Sequence, residues 1–225
     1  MQRSLRILIA EDEGLYRDLL RVALSGLPHF EVVGSYSSAE DAMAEGPALK
    51  PDVAVLDIRL AGAINGVRLG LELRRLLPSL GVVLLSNYQD PEYIAALPRD
   101  AVSGWSYLLK RSVGDLATLE RAIEGSASGL VVLDPHLVRG LAGDRNRATE
   151  ELTPRQKEIL NLIAQGFTNA AIAQRLTLTL KSVENQINLM YQSLGIEGQD
   201  STLQPRVVAV LRYLEGRGPR IGEEN

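Results

Sequence analysis

Five short apolar runs recur through the first half of this chain: Leu5 to Ala10, Phe30 to Gly34, Val53 to Leu56, Val82 to Leu85 and Tyr107 to Leu109. Between them lie segments with helical spacing, such as Leu15, Leu19, Val22 and Leu69, Leu73, Leu76. A Val-rich run without polar alternation suits a strand buried on both faces, and a helix between consecutive strands makes the connection a parallel crossover. Repeated five times, this pattern predicts an α/β doubly wound, five-stranded parallel sheet over residues 1–125, with helices on both faces.

Such a sheet gathers the residues just past its strand ends into one crevice, where ligands of open α/β folds bind. The best runs end in Glu11-Asp12, Asp57, Ser86 and Lys110. Taken singly, each is an ordinary loop residue: Asp12 could cap the helix starting near Gly14, and Ser86 could open a turn. As a set they say more. Three acids converging in one cleft repel one another unless a cation lies between them, and carboxylate oxygens are what Mg²⁺ prefers. A divalent ion, the Lys110 ammonium and the Ser86 hydroxyl together form a receptor for a phosphoryl group, with the Asp57 carboxylate as the nucleophile that accepts it.

Composition narrows the field. The chain has 225 residues, enough for two small domains, and no Cys, which excludes disulfides and thiolate metal sites. No apolar run approaches the ~20 residues of a membrane helix, and no signal-peptide pattern opens the chain, so a cytoplasmic protein without a membrane partner is expected. No P-loop or dinucleotide glycine motif is present, so no nucleotide site is expected. His29 and His136 are too far apart to suggest a ligand pair. Residues 1–125 hold 13 Lys/Arg against 17 Asp/Glu and residues 126–225 hold 11 of each, so the net charge of −4 belongs to the first half. A neutral second half does not by itself announce a nucleic-acid surface.

Residues 126–151 read as a linker with one short helix, begun by Asp134 as N-cap and Pro135 at its first position, and with a polar hinge at 142–151. Residues 152–217 read as a small all-α domain. Thr153 and Gln156 form a capping box before the first helix, and Gly166 stops it. A short helix follows over Asn169 to Leu176. Thr179 caps a third with Val183, Ile187, Met190 and Leu194 inward, and a last runs from Arg206 to Leu214. Short helix, tight turn and longer helix is the layout of a helix-turn-helix DNA reader, although compact four-helix modules also serve as plain interaction domains. Opposite its core face the third helix carries Lys181, Asn185, Asn188 and Gln192, flanked by Ser182 and Glu184. Amides can pair with adenine, Glu can accept from cytosine, and Lys and Ser can hold phosphate.

Over residues 4–125 the acidic pair, Asp57, Ser86, Tyr107 and Lys110 resemble the receiver domains of two-component response regulators, which have a flavodoxin-like fold. The stretch LTPRQKEILNLIAQGFTNAAIAQRL with KSVENQI is similar to the LuxR-type helix-turn-helix of the NarL/FixJ family. The resemblance implies that Asp57 is the phospho-acceptor, and that Asp12, Asp57 and the Arg59 carbonyl bind Mg²⁺ directly while Glu11 acts through water. It also implies that Ser86 and Lys110 hold the phosphoryl oxygens, and that Tyr107 follows Ser86 inward as a switch. In the second domain Lys181, Ser182, Glu184, Asn185 and Asn188 would face double-stranded DNA, and Val207, Val210, Leu211 and Leu214 would form a homodimer. A sensor histidine kinase would be the phosphodonor. Departures from the family pattern are Glu11 in place of Asp, Arg111 after Lys110, Leu180, Gln186, the longer loop at 198–205, and Pro98, which shortens the helix expected before Tyr107. The rival readings are a phospho-switch protein that does not bind DNA and an aspartyl-phosphate phosphatase. The latter would need an acid two places after Asp57, where Arg59 stands.

Overall fold

A computed structural model describes residues 3–88, 102–138, 149–196 and 204–215. Its first domain is a parallel sheet with strand order β2-β1-β3-β4-β5-β6. The strands are β1 Leu5–Ala10, β2 Phe30–Tyr36, β3 Val53–Asp57, β4 Gly81–Ser86, β5 Trp105–Leu109 and β6 Val132–Leu133. Alternate residues of the central strands feed two separate cores. Ile7, Ile9, Val53, Val55, Val83 and Leu85 pack with Leu20 and Leu24 of α1 (Gly14–Ser25) and with Leu119 and Ile123 of α4 (Leu116–Ala127). On the other face Leu8, Leu56 and Leu84 pack with Ala42 of α2 (Ala39–Glu45) and with Leu69 and Leu73 of α3 (Gly66–Leu76). Every residue of β3 is therefore buried, which is why VAVLD shows no alternation.

The strand order reverses between β1 and β3, and the C-terminal ends of those two strands carry Glu11-Asp12 and Asp57. Gly66 fixes the far wall of this crevice. A Cβ there would lie 2.0 Å from the Asp57 carbonyl oxygen, so α3 can start this close to the acceptor strand only with glycine.

The sixth strand departs from the five expected. Val132 and Leu133 pair with Ser106 and Tyr107, and buried Asp134 locks the extension in place. One of its oxygens accepts from Leu109 N at 2.9 Å and the other from His136 N at 2.7 Å. Val132 and Leu133, within the expected linker, thus belong to the sheet, and residues 135–138 are helical, as Asp134-Pro135 suggested. Most of the expected hinge, Pro98 and most of the 198–205 loop lie outside the described residues.

The second domain comprises α5 Pro154–Ala164, α6 Asn169–Leu176, α7 Leu180–Ser193 and α8 Pro205–Glu215. The capping box forms, with Gln156 N donating to Thr153 Oγ1 at 3.2 Å and Thr153 N to Gln156 Oε1 at 2.9 Å. Thr168 and Thr179 cap the next two helices through Ala171 N and Ser182 N. Val183, Ile187, Met190 and Leu194 are buried beneath α7.

The two domains share one apolar core. The Arg121 guanidinium of α4 stacks 4.3 Å from the Phe167 ring, where Arg175 also stacks at 4.1 Å. Gly166, at φ +82, lies so close to β6 that a Cβ would come within 2.8 Å of Val132. Gln204 Nε2 donates to Ser128 O at 3.3 Å and the Tyr213 hydroxyl to Val138 O at 3.3 Å. Among the described residues no helix is long and apolar enough to cross a membrane.

Candidate functional site

At the crevice, Glu11, Asp12 and Asp57 each offer a carboxylate oxygen within 4.8 Å of the others. Glu11 and Asp57 are buried and Asp12 is exposed. The α1 N-cap is Glu13, without a side-chain cap bond, so Asp12 is not spent on capping. Lys110 enters from the end of β5, with its Nζ 2.8 Å from Asp57 Oδ2 and 2.8 Å from both Glu11 oxygens. The second Asp57 oxygen accepts from Arg59 N at 3.0 Å. One ammonium thus serves two buried acids. Burial pushes the Glu11 carboxyl above the usual range, with Asp57 adding to the rise and the Lys110 hydrogen bond opposing it. Burial disfavours the Lys110 ammonium, but the hydrogen bonds it donates to Asp57 and Glu11 outweigh it and hold the group above the ordinary lysine value.

These donors suit a hard cation. All are oxygens, as Mg²⁺ requires. Glu11 Oε2 is buried without a hydrogen-bond donor despite its nearness to Lys110 Nζ, so the acidic cluster is not fully served by the ammonium alone. Glu11, Asp12, Asp57 and the Arg59 carbonyl are the groups that would hold such an ion.

Ser86 is buried at the end of β4, where its Oγ accepts from Tyr88 N at 3.1 Å. It therefore makes the turn contact considered from sequence while standing at the site's rim. Tyr107 differs from the expected swing: it is already fully buried, with its hydroxyl donating to Tyr88 O at 2.5 Å. The inward position that the resemblance assigns to a later step is occupied here.

Three partners went unnoticed in the sequence. The Tyr16 ring lies 4.7 Å from Lys110 Nζ and its hydroxyl donates to Lys110 O at 3.3 Å. Burial and the nearby acids push that phenol well above its ordinary value. The Arg59 guanidinium stacks on Tyr88 at 4.2 Å. Arg17 Nη1 donates to Glu11 O at 2.7 Å. No local sequence signal marks these contacts; those of Tyr16 with Lys110 and of Arg59 with Tyr88 join distant segments, and Arg17 reaches back six residues to Glu11.

On the second domain, the Thr179 cap sets the start of α7, so Lys181, Glu184, Asn185 and Asn188 are exposed and Ser182 is half-buried. Among the described residues, the receiver leaves this face uncovered. The face assigned to dimerisation needs correction. Val207, Val210 and Leu214 are buried in the chain's own core at 1%, 1% and 7% exposure, because α8 packs on α5. Of the four, only Leu211 reaches the surface in part, beside Val208.

Comparison with known proteins agrees with both halves. Residues 7–124 match the family described as the response regulator receiver domain, and residues 150–214 match the luxR family of bacterial regulatory proteins. The chain is 32% identical over 198 residues to the DNA-binding transcriptional activator DevR/DosR of Mycobacterium tuberculosis, covering 85% of this chain and 89% of that one. It is also 32% identical over 207 residues to the nitrate/nitrite response regulator NarL of Escherichia coli, covering 88% and 93%. Among solved structures, RcsB of Salmonella typhimurium shares the fold at 23% identity and a TM-score of 0.53, covering 94% of this chain and 99% of that one. The RcsB–DNA complex also superimposes with a TM-score of 0.53. The chain belongs to the response regulators of the NarL/FixJ type, a receiver domain joined to a LuxR-type helix-turn-helix.

Proposed function

We propose that Asp57 accepts a phosphoryl group and that its charge controls how the second domain engages DNA. The observation that carries this is the single Lys110 ammonium held by both Glu11 and Asp57 beside exposed Asp12. An Asp57 oxygen attacks the phosphorus of a phosphohistidine on a sensor kinase. The new O–P bond forms as the P–N bond breaks, and the imidazole leaves with the bonding pair. Lys110 and the Arg59 N–H hold the carboxylate in place and face the charge that develops on the transferred group. Bound Mg²⁺, held by Glu11, Asp12, Asp57 and the Arg59 carbonyl, would neutralise the phosphoryl oxygens. The acyl phosphate adds negative charge where one carboxylate stood. Lys110 is then drawn from Glu11 toward the phosphoryl oxygens, and the Ser86 hydroxyl can turn from Tyr88 N to donate to them.

That rearrangement reaches outward through Tyr16, whose hydroxyl donates to the Lys110 carbonyl, and through exposed Tyr88, whose N–H donates to Ser86 and whose carbonyl accepts from buried Tyr107. Moving a two-state equilibrium from mostly off to mostly on takes about 5.5 kcal/mol of differential stabilisation. Lys181, Ser182, Glu184, Asn185 and Asn188 are the groups offered to base edges and phosphates. With one Lys on that face a single copy neutralises few phosphates, so a homodimer on paired half-sites is the binding form. The compartment is that of the DNA, the cytoplasm. No enzymatic turnover is expected, since Arg59 stands where a phosphatase of this kind would place its acid.

Gel shift against genomic fragments, with and without acetyl phosphate and Mg²⁺, tests this reading. Retention of specific fragments that strengthens on phosphorylation is expected. Failure to retain any fragment in either state would favour a phospho-switch that binds protein rather than DNA.

A further inference from the structure

Tyr16 touches Lys110 at both ends. Its hydroxyl donates to the Lys110 carbonyl at 3.3 Å, and the Lys110 Nζ sits over its ring, 4.7 Å from the centroid. The next residue on α1, Arg17, donates to the Glu11 carbonyl at 2.7 Å. Adjacent residues in the first turn of α1 thus brace the lysine and one of the two acids that it serves.

An ammonium has three N–H donors. At Lys110 the Glu11 and Asp57 carboxylates each accept at 2.8 Å, and the electron-rich face of Tyr16 is the third partner. The lysine side chain is only 7% exposed. Half-buried Tyr16 and Lys110 both line a cleft between α1 and the segment from Lys110 to Leu116. A small aliphatic side chain at position 16 would let water from that cleft reach the ammonium.

We propose that Tyr16 is a positioning residue for phosphoryl transfer, its ring holding the Lys110 ammonium so that it turns from Glu11 to the arriving phosphoryl group instead of withdrawing into water. The role rests on Asp57 being the acceptor. A lysine stem is flexible by itself. Gripped at its carbonyl and over the ring, Lys110 is in place before the donor arrives. With acetyl phosphate as donor, an Asp57 oxygen forms its bond to phosphorus as the P–O bond to acetate breaks, and acetate leaves with the bonding pair. Lys110 keeps all its protons in this step and only turns. The N–H released by Glu11 meets the phosphoryl oxygens, while the ring carries no formal charge and remains the ammonium's partner throughout. Without the ring the freed N–H is hydrated and no longer faces the charge that develops on the transferred group. The loss therefore falls on the maximum rate rather than on binding of donor or metal.

Phosphoryl uptake from acetyl phosphate by the full chain, timed by intact-mass spectrometry over ranges of donor and Mg²⁺ concentration, tests this on the native protein, Tyr16→Phe and Tyr16→Leu, with thermal unfolding confirming that each is folded. Tyr16→Leu should lose about tenfold in maximum rate, with the half-saturating donor and Mg²⁺ concentrations unchanged. Tyr16→Phe keeps the ring and should keep most of the native rate. Proton NMR supplies a second reading: Lys110 side-chain protons over the ring face should resonate upfield of those of other lysines in the native chain and in Tyr16→Phe, and lose that shift in Tyr16→Leu. A Tyr16→Leu chain with the native maximum rate overturns the role while leaving Asp57 as acceptor, and so does a Tyr16→Phe chain as slow as Tyr16→Leu. A Tyr16→Leu defect confined to the half-saturating concentrations, or a Lys110 spectrum indifferent to the ring, also overturns it. Absence of any adduct on the native chain overturns the acceptor reading itself, and this role with it.

Discussion

Lys110 Nζ stands 2.8 Å from Asp57 Oδ2 and 2.8 Å from Glu11, and the three side chains are at most 7% exposed. Two buried carboxylates on two different strands are thus held by one ammonium arriving from a third. The arrangement ties stability of the apo domain to the same groups that would receive the phosphoryl charge.

Lys110→Met should therefore destabilise the receiver. Removing one partner of a buried ionic cluster leaves uncompensated charge and costs about 3–5 kcal/mol. Thermal unfolding followed by Trp105, the single tryptophan and fully buried, should report a lower midpoint. Added Mg²⁺ should restore more stability to the variant than to the native chain, because a cation can take up the two acids that the ammonium abandoned. Equal stabilisation of both chains would count against the shared site.

Asp12→Asn separates metal binding from folding. Asp12 is exposed and makes no cap, so its loss removes repulsion from the acidic cluster without removing a structural bond. The unfolding midpoint should hold or rise, while Mg²⁺-dependent stabilisation and phosphoryl incorporation from acetyl phosphate fall at least tenfold. Unchanged incorporation would show that Asp12 does not serve the ion.

Gly66→Ala tests the wall of the crevice. The added methyl would meet the Asp57 carbonyl oxygen at 2.0 Å, and its nearest neighbours are all backbone atoms of Asp57 and Ile58, which leaves nothing soft to yield. Overpacking of this kind costs about 1–3 kcal/mol, and here it also displaces the acceptor strand. Both the midpoint and phosphoryl uptake should drop. A variant with native uptake would mean that α3 can slide without moving Asp57.

Arg121→Ala loosens the join between the domains. The Arg121–Phe167 stack is worth roughly 0.5–1 kcal/mol at a partly exposed site, so transient separation of the two domains should become a few fold more frequent. Hydrogen exchange at Val132 and at the α5–α6 turn should quicken, and exchange in β1 and β3 should not. Uniform quickening would point to global destabilisation instead.

In the reading helix, Asn185→Ala and Lys181→Ala should behave differently. A lost base contact costs about 1–3 kcal/mol and relaxes preference at one position, whereas a lost phosphate contact weakens all fragments alike and reduces the salt slope by about 1. Binding measured on matched and altered fragments at several salt concentrations distinguishes the two roles.

The sheet was legible because burial on both faces removes polar alternation from β3 and β4, and the runs end where their polar residues begin. The site was legible for the same reason: a parallel sheet puts Glu11, Asp12, Asp57, Ser86 and Lys110 at one rim whatever the loops do. The caps at Thr153 and Thr179 were also readable, being local hydrogen bonds. Contacts between distant segments were not. Val132–Leu133 is too short to show a strand period, and only the free edge of β5 and the buried Asp134 carboxylate make it a strand. In α1 the spacing of Leu15, Leu19 and Val22 revealed the helix, yet that stripe faces water while Leu20 and Leu24 anchor it. In α8 the apolar positions look the same whether they meet a second copy or α5, and Val207, Val210 and Leu214 meet α5.

Peptide-level mass spectrometry of the full chain after acetyl phosphate and Mg²⁺, stabilised against hydrolysis by borohydride reduction, tests the central claim most directly. The acyl phosphate should be trapped as the reduced residue at Asp57 alone, and should disappear in Asp57→Asn and in the presence of EDTA. Trapping at another residue, or at Asp57 regardless of Mg²⁺, would contradict the account of this cleft.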